Sequence, residues 1–238
     1  MPVEVTPCNN AFGVFMPSSP SVVAFDIIET VFSLEPLRAD LTALGLPPST
    51  LELWFAESLR DAFALAAVGD FQPFRDVQDA VLEQVLAQHG RTATAAQRSD
   101  VLDGMKRLSP HPDAQDSFDT LTKAGIRICA LSNGAVASTT ALLEQAGLRS
   151  QVELVISVED VGLSKPRKEV YAYAARQMKV EPGELALIAC HPWDIHGAKA
   201  AGLAAGYVSR GRPFPPFMRA PDVSGETLSE TAGMFAAV

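Results

Sequence analysis

SVVAFDIIET, residues 21–30, decides the fold. Its apolar run, 22–25, has the length of a buried strand, and it stops at one carboxylate, Asp26, before the chain breaks into IIET. Open parallel sheets keep their chemistry just beyond the carboxyl ends of their strands. Further runs of strand length occupy 126–131, 152–157, 185–190 and 205–208. Helical spacing fills 113–124, 136–146, 167–178 and 194–201, each followed within a few residues by Gly, or by Pro after the third. Strand and helix alternate, so an α/β fold with a parallel sheet covered on both faces is expected. Chemistry-bearing residues fall after the same runs: LSNG with Ser132 and Asn133, SKP with Lys165, and CHPWD, 190–194. Four strand ends then converge on one crevice.

The interval after the first strand breaks this rhythm. Only helical patterns lie between 36 and 108, at 37–44, 49–68, 71–89 and 93–108. About 70 residues is too long for an ordinary crossover. The sequence therefore predicts a core domain of residues 21–35 and 109–238 and a helical cap of 36–108 placed over the strand ends. Residues 1–20 mix Pro, Asn and Ser with a few apolar residues and are expected to be a flexible extension. RGRPFPPF, 210–217, reads as an irregular loop and 227–235 as a closing helix.

Composition narrows the function classes. A hydrophobic content of 47% over 238 residues allows a substantial core. The net charge of −9, with no offsetting Lys/Arg cluster, opposes binding to nucleic acid, and none is expected as a partner. No apolar stretch approaches the roughly 20 residues of a membrane helix, so no membrane association is expected. Cys8, Cys129 and Cys190 are an odd number without CxxC spacing, which points to neither a disulfide framework nor a zinc site. A reducing, cytoplasmic setting is the expectation.

Four motifs in order, FDxxxT at 25–30, SNG at 132–134, KPxxxxY at 165–171 and WD at 193–194, resemble the haloacid dehalogenase superfamily. Within it the chain is most similar to the L-2-haloacid dehalogenase (type II) group, over roughly residues 22–235. The resemblance implies a Rossmann-like core with an inserted cap, a homodimer, and Asp26 as nucleophile. A carboxylate can attack an electrophilic carbon or phosphorus to form an ester that water then hydrolyses. Lys165 is expected to hold Asp26 ionised, with Asp194 as a second carboxylate that pairs Lys165 and caps the helix after it.

Departures from the pattern choose between reactions. The superfamily's phosphatases resemble one another in a second Asp two residues after the nucleophile and an acidic Mg²⁺ ligand at the start of the fourth motif; here those positions are Ile28 and Cys190. An aliphatic side chain donates no proton, and a thiol is a poor partner for Mg²⁺. Halide leaves carbon as a stable anion and needs neither. No metal and no cofactor are therefore expected.

The chain also departs from most L-2-haloacid dehalogenases, which carry Tyr where Ile28 stands, Gly where Glu29 stands, and Ser-x-Asn where residues 189–191 read Ala, Cys, His. Glu29 and His191 together have the parts of a general-base dyad, a carboxylate orienting an imidazole that deprotonates water, and the resemblance includes members that use such a pair. The bland alternative is a solvated Glu29 and a core His191. Ser132 and Asn133 are expected to bind the substrate carboxylate and halide, with a turn opening the next helix as the other reading. Thr30 is a candidate bond to Asp26. The relatives' cap Arg falls on Phe55, so Trp54 and Phe55 are expected either to wall an apolar pocket or to pack the cap, and Arg60 is a candidate replacement cation. Trp193 and Tyr171 join the expected substrate-binding set, Tyr171 with packing as an equal alternative; His89, His111 and His196 read as surface or structural histidines. The expected substrate is a short halogenated carboxylic acid, an L-2-haloacid giving a D-2-hydroxy acid. Phosphate or phosphonate hydrolysis and a silent binding role are the alternatives.

Overall fold

The structure is a computed structural model and describes residues 20–237. The extension expected over 1–20 lies outside the described residues except for Pro20. In chain order the strands are β1 Val22–Phe25, β2 Phe32–Ser33, β3 Ser109–Pro110, β4 Arg127–Ser132, β5 Leu154–Ser157, β6 Leu185–Ala189, β7 Ala204–Val208 and β8 Val223–Gly225. The helices are α1 Leu37–Ala43, α2 Thr50–Val68, α3 Phe74–Gln88, α4 Ala95–Asp103, α5 Ala114–Lys123, α6 Val136–Gln145, α7 Lys168–Met178, α8 Pro192–Ala200 and α9 Leu228–Ala236.

Six strands form one parallel sheet in the order β5-β4-β1-β6-β7-β8. β1 is central and its four apolar residues are fully buried, as a strand covered on both faces requires. Side chains alternate across it: Val23 and Phe25 join one hydrophobic cluster, and Val22 and Ala24 join the other. On the first face Phe25 stacks on Phe118 of α5 at 4.5 Å between ring centres. On the second, Ala174 and Ala175 of α7 and Ile195 and Ala198 of α8 share one cluster with Val22 and Ala24, and α8 packs against β6 and β7. The chain leaves β1 toward β4 and β5, then returns to the other side of β1 with β6. That reversal opens the crevice at the carboxyl ends of β1, β4 and β6.

The expected helical insertion is present. α1 to α4 follow β2 and precede β3, which pairs antiparallel with β2 and closes the neck of the insertion. Leu37, Leu41, Trp54, Val81 and Leu82 from these helices share one continuous cluster with Val23 and Phe25. The helix expected over 93–108 ends at Asp103 and gives way to a 3₁₀ turn at Gly104–Lys106. Gly104 fits there because a Cβ on it would lie 2.4 Å from Leu37 Cδ2. β2, β3 and β8 were not expected from sequence; two or three residues give no measurable periodicity.

Candidate active site

Asp26 is placed by the sheet ladder itself. Its N–H donates to Ile188 O at 3.0 Å, so β1 stays paired with β6 up to the carboxylate, which is 5% exposed and lines a cavity of about 240 Å³. Beyond it the chain turns sharply. Val31 and Phe32 N–H both donate to Ile27 O, and Glu29 adopts φ +66°. That left-handed backbone costs a non-glycine residue about 1–2 kcal/mol. The turn is braced from outside: His111 Nε2 donates to Glu29 O at 3.0 Å and Arg210 Nη2 to Thr30 O at 2.9 Å. Burial and then Arg210 lower the His111 pKa, so the ring is a neutral donor. Sequence reasoning left this brace undetected because its members are separated by about 80 and 180 residues and carry no shared motif.

Lys165 is fully buried and uses all three ammonium protons. Nζ donates to Asp26 Oδ1 and Asp194 Oδ2, both at 2.7 Å, and to Leu131 O at 3.0 Å. Thr30 hydroxyl donates to Asp26 Oδ2 at 2.6 Å and accepts from Cys190 N–H at 2.9 Å. Tyr171 hydroxyl donates to Asp194 Oδ1 at 2.5 Å. Each oxygen of both carboxylates therefore carries a protein donor. Burial works to raise the Asp26 pKa, but Lys165, His191 and the Lys165 and Thr30 hydrogen bonds overcome it and hold the carboxyl below its ordinary value. Burial, with Asp26 beside it, raises Asp194 against the pull of Lys165. Lys165 is itself raised, since Asp194 and Asp26 outweigh its burial.

Thr30 and Tyr171 thus position carboxylates and do not line the cavity, which removes them from the substrate-contact set proposed from sequence. Asp194 is not a helix N-cap: α8 starts at Pro192 after His191, which puts Asp194 inside the first turn, where a carboxylate also suits the helix dipole. α8 comes close enough for these contacts because residue 197 is glycine; a Cβ there would lie 2.6 Å from the Tyr171 hydroxyl and 2.8 Å from Pro166 O.

Ser132 and Asn133 both line the cavity. Ser132 Oγ accepts from Gly134 N–H at 2.9 Å, and Asn133 Oδ1 accepts from Lys165 N–H at 3.1 Å, so the loop after β4 is locked onto the Lys165 loop. Ile28, Phe55, Leu59, Phe74 and Trp193 supply apolar walls. Trp193 stacks on His191 at 5.1 Å and meets Phe63 of α2 edge-on at 5.0 Å. Phe55 faces His191 at 6.1 Å.

Three expectations on the insertion and the dyad need correction. Trp54 does not line the cavity; it is fully buried and its indole N–H donates to Gln78 O at 3.0 Å, so it is packing. Arg60 is exposed and paired with Glu57 and Asp61, away from the cavity, because five residues of helix turn it off the face that Phe55 presents. The cations that do line the cavity, Arg75 and Lys106, share Asp103 and were not singled out in the sequence. Glu29 does not bond His191: its Oε1 accepts Leu34 N–H at 2.7 Å, drawn there by the left-handed turn.

His191 instead faces the nucleophile. Nε2 lies 3.1 Å from Ile28 O and 3.7 Å from Asp26 Oδ2. Burial opposes its protonation, yet the adjacent Cys190 and the Asp26 and Asp194 carboxylates push its pKa up to about 10. The resting site therefore pairs an anionic Asp26 with an imidazolium. Among the described residues no group of three or more His, Cys, Asp or Glu is arranged to hold a metal ion, and the four carboxylate oxygens nearest the crevice are already taken by Lys165, Thr30 and Tyr171.

Comparison with known proteins gives the family. The (S)-2-haloacid dehalogenase of Pseudomonas sp. (strain YL) is 26% identical over 216 residues, covering 90% of this chain and 93% of that protein. That of Xanthobacter autotrophicus is 29% identical, covering 79% and 74%. The solved structure of the Xanthobacter L-2-haloacid dehalogenase with chloropropionic acid covalently bound superposes with a TM-score of 0.79 at 24% identity over 90% of this chain and 97% of that one. The family model for haloacid dehalogenase-like hydrolases matches residues 20–202, and the chain belongs to that family.

Proposed function

We propose that the protein is a hydrolytic dehalogenase of 2-haloalkanoic acids, converting L-2-haloacids to D-2-hydroxy acids. One observation carries the reading: the buried anionic Asp26 opens onto an apolar cavity whose walls hold no proton donor two residues beyond the nucleophile, where Ile28 stands. A leaving group that departs as a stable anion suits this wall; an alkoxide leaving a phosphate needs a proton. The relatives named above act on the same class of acid.

Asp26 attacks C2 in line with the halide, forming an ester and expelling the halide with inversion. Ser132 and Asn133 hold the substrate carboxylate, and Phe55, Phe74 and Trp193 exclude water from the attacking oxygen. Ester formation also abolishes the negative charge beside His191. The imidazolium has then lost one of the charges that hold its proton, next after Cys190 in weight, and on giving that proton up becomes able to take one from a water attacking the Asp26 carbonyl carbon. Collapse of that adduct returns the Asp26 carboxylate, and the released alcohol keeps the second proton of the water. The base is thus armed by the first chemical step.

Halide release from L-2-chloropropionate tests the reading, with D-2-chloropropionate and p-nitrophenyl phosphate beside it. Release from the L-acid should be lost by at least about 10⁴-fold in Asp26→Asn. In a single turnover in ¹⁸O water the label should enter Asp26. Phosphate release without halide release, or label found only in product, overturns it.

A further inference from the structure

One buried polar group on the insertion wall serves nothing within the protein. Gln78 of α3 is 3% exposed and lines the substrate cavity. Its backbone carbonyl is taken by Trp54, but among the described residues its side-chain carboxamide has no hydrogen-bond partner: Nε2 is buried and unpaired, and Oε1 accepts from no donor. The other buried unpaired side-chain atoms, on Thr50, Glu57, Asp113 and Arg210, belong to residues that do not line this cavity. A carboxamide offers two donors and an acceptor. Enclosing it unpaired costs stability that an apolar side chain of the same size would not lose.

The place of Gln78 along the wall indicates which part of a substrate it meets. His191 is 3.7 Å from Asp26, Phe55 faces His191 at 6.1 Å, and Phe74 meets Phe55 edge-on at 6.3 Å. Gln78 follows Phe74 by one turn on the same face of α3. Two aromatic rings thus lie along the wall between the imidazole and the carboxamide. On the dehalogenase reading, C2 of the acid sits at Asp26, its carboxylate at Ser132 and Asn133, and its halide in line with the attacking oxygen. The substituent left over is the side chain on C2. A cavity of about 240 Å³, the space of about eight waters at about 30 Å³ each, has room for one longer than a methyl group. Leu59, Leu102, Met105 and Leu142 give that room apolar walls, which suit an aliphatic stem.

We propose that Gln78 is a specificity residue, and that the substrate is a 2-haloacid whose C2 side chain ends in an amide. The inference rests on the dehalogenase reading. An amide complements Gln78: its carbonyl accepts from Nε2 and its N–H donates to Oε1. Neither end of the carboxamide is held, so a half-turn about its last side-chain bond presents either atom. A charged end group needs a counter-ion that a carboxamide does not supply, and Arg75 and Lys106 are about half exposed and tied to Asp103. An apolar end group strands the carboxamide, and a site built to hydrogen-bond its substrate rejects the analogue that lacks the partner.

The test compares bromide release from L-2-bromo-4-carbamoylbutyrate and from its apolar isostere, L-2-bromo-5-methylhexanoate. The readout is the ratio of the two kcat/KM values, from which general damage to a variant cancels. In the parent the amide should be preferred by at least about tenfold. The ratio should fall to about one in Gln78→Leu and in Gln78→Met. It should keep its parent value in Arg75→Gln, which removes a cation from the same helix. A parent ratio near one overturns the proposal. So does a ratio that survives both Gln78 variants, whether turnover is kept or lost equally on the two substrates; equal loss makes Gln78 a partner of the carboxylate or halide they share. L-2-bromopropionate separates the premises. No bromide from it in the parent sinks the dehalogenase reading, whereas bromide from it beside a parent ratio near one sinks the amide alone.

Discussion

The two walls of the crevice are built by different rules. On the sheet side, Asp26, Lys165, Asp194, Tyr171 and Thr30 are buried and joined by hydrogen bonds of 2.5–2.7 Å, with no donor or carboxylate oxygen left over. On the insertion side, Phe55, Leu59 and Phe74 meet the cavity through van der Waals contact alone, and Arg60 stands outside it. The sheet side holds one geometry because every alternative strands a charge in a low-dielectric interior. The insertion side has no such constraint, so its residues can change while the shape of the wall persists. Chemistry is fixed at the strand ends, and selectivity is left to the helices.

Removing the cation should break the first wall outright. Lys165→Met leaves two carboxylates buried side by side with only the His191 imidazolium, 3.7 Å from Asp26, as counter-charge, a loss of about 3–5 kcal/mol in denaturant unfolding. Activity should vanish with it. A Lys165→Met protein as stable as the parent denies that the sheet side is held by this network.

Tyr171→Phe probes the same wall at one remove. Loss of the hydroxyl bond to the buried Asp194 carboxylate should cost about 1.5–3 kcal/mol, because hydrogen bonds to charged groups exceed neutral ones. Asp26 keeps its own contacts with Lys165 and Thr30, so the variant should keep most of its turnover. Unfolding and halide-release measurements on one preparation separate the two effects. A variant that is stable but inactive makes Tyr171 part of the chemistry.

The third effect is a pH dependence. His191 has its folded pKa raised from 6.5 to about 10, so the stability it contributes is present in full below 6.5 and fades as pH rises through 10. The difference in thermal midpoint between the parent and His191→Gln should shrink across that window. A difference that grows with pH means the ring is buried neutral, and the base is then not armed by ester formation.

Legibility in the sequence follows the same division. Asp26, Lys165 and Asp194 were readable because each ends or follows an apolar run, and strand ends of a parallel sheet must meet. β1 and its four partners among the longer strands were found for the same reason. The insertion was readable as helices but not as faces: helical phase accumulates 100° per residue, so Phe55 reaches the cavity, Trp54 next to it is core, and Arg60 is at the surface. Glu29 and His191 were read as a contacting pair from adjacent strand ends, but the φ of +66° at Glu29 aims its carboxylate at Leu34. No residue-level pattern announces that rotation, since Glu rarely takes it. The brace of His111 and Arg210 was invisible because its partners are backbone carbonyls.

The smallest expected effect sharpens the comparison most. Arg60→Gln removes a guanidinium whose partners, Glu57 and Asp61, lie on its own helix, and surface pairs of this kind are worth about 0–1 kcal/mol. KM and kcat for a haloacid should each stay within about twofold of the parent. Phe55→Ala, five residues earlier, opens the wall between the substrate cavity and a second cavity of about 440 Å³ and should cost more, by admitting water to the attacking carboxylate before the ester forms. If Arg60→Gln instead raises KM tenfold, the guanidinium reaches substrate when the insertion moves, and joins Arg75 and Lys106 on the helical wall in the working enzyme. If both variants behave as expected, this protein binds its acid without a cation from the first long helix of the insertion, and recognition of the carboxylate rests on the residues that do line the cavity, Ser132 and Asn133 with Arg75 and Lys106.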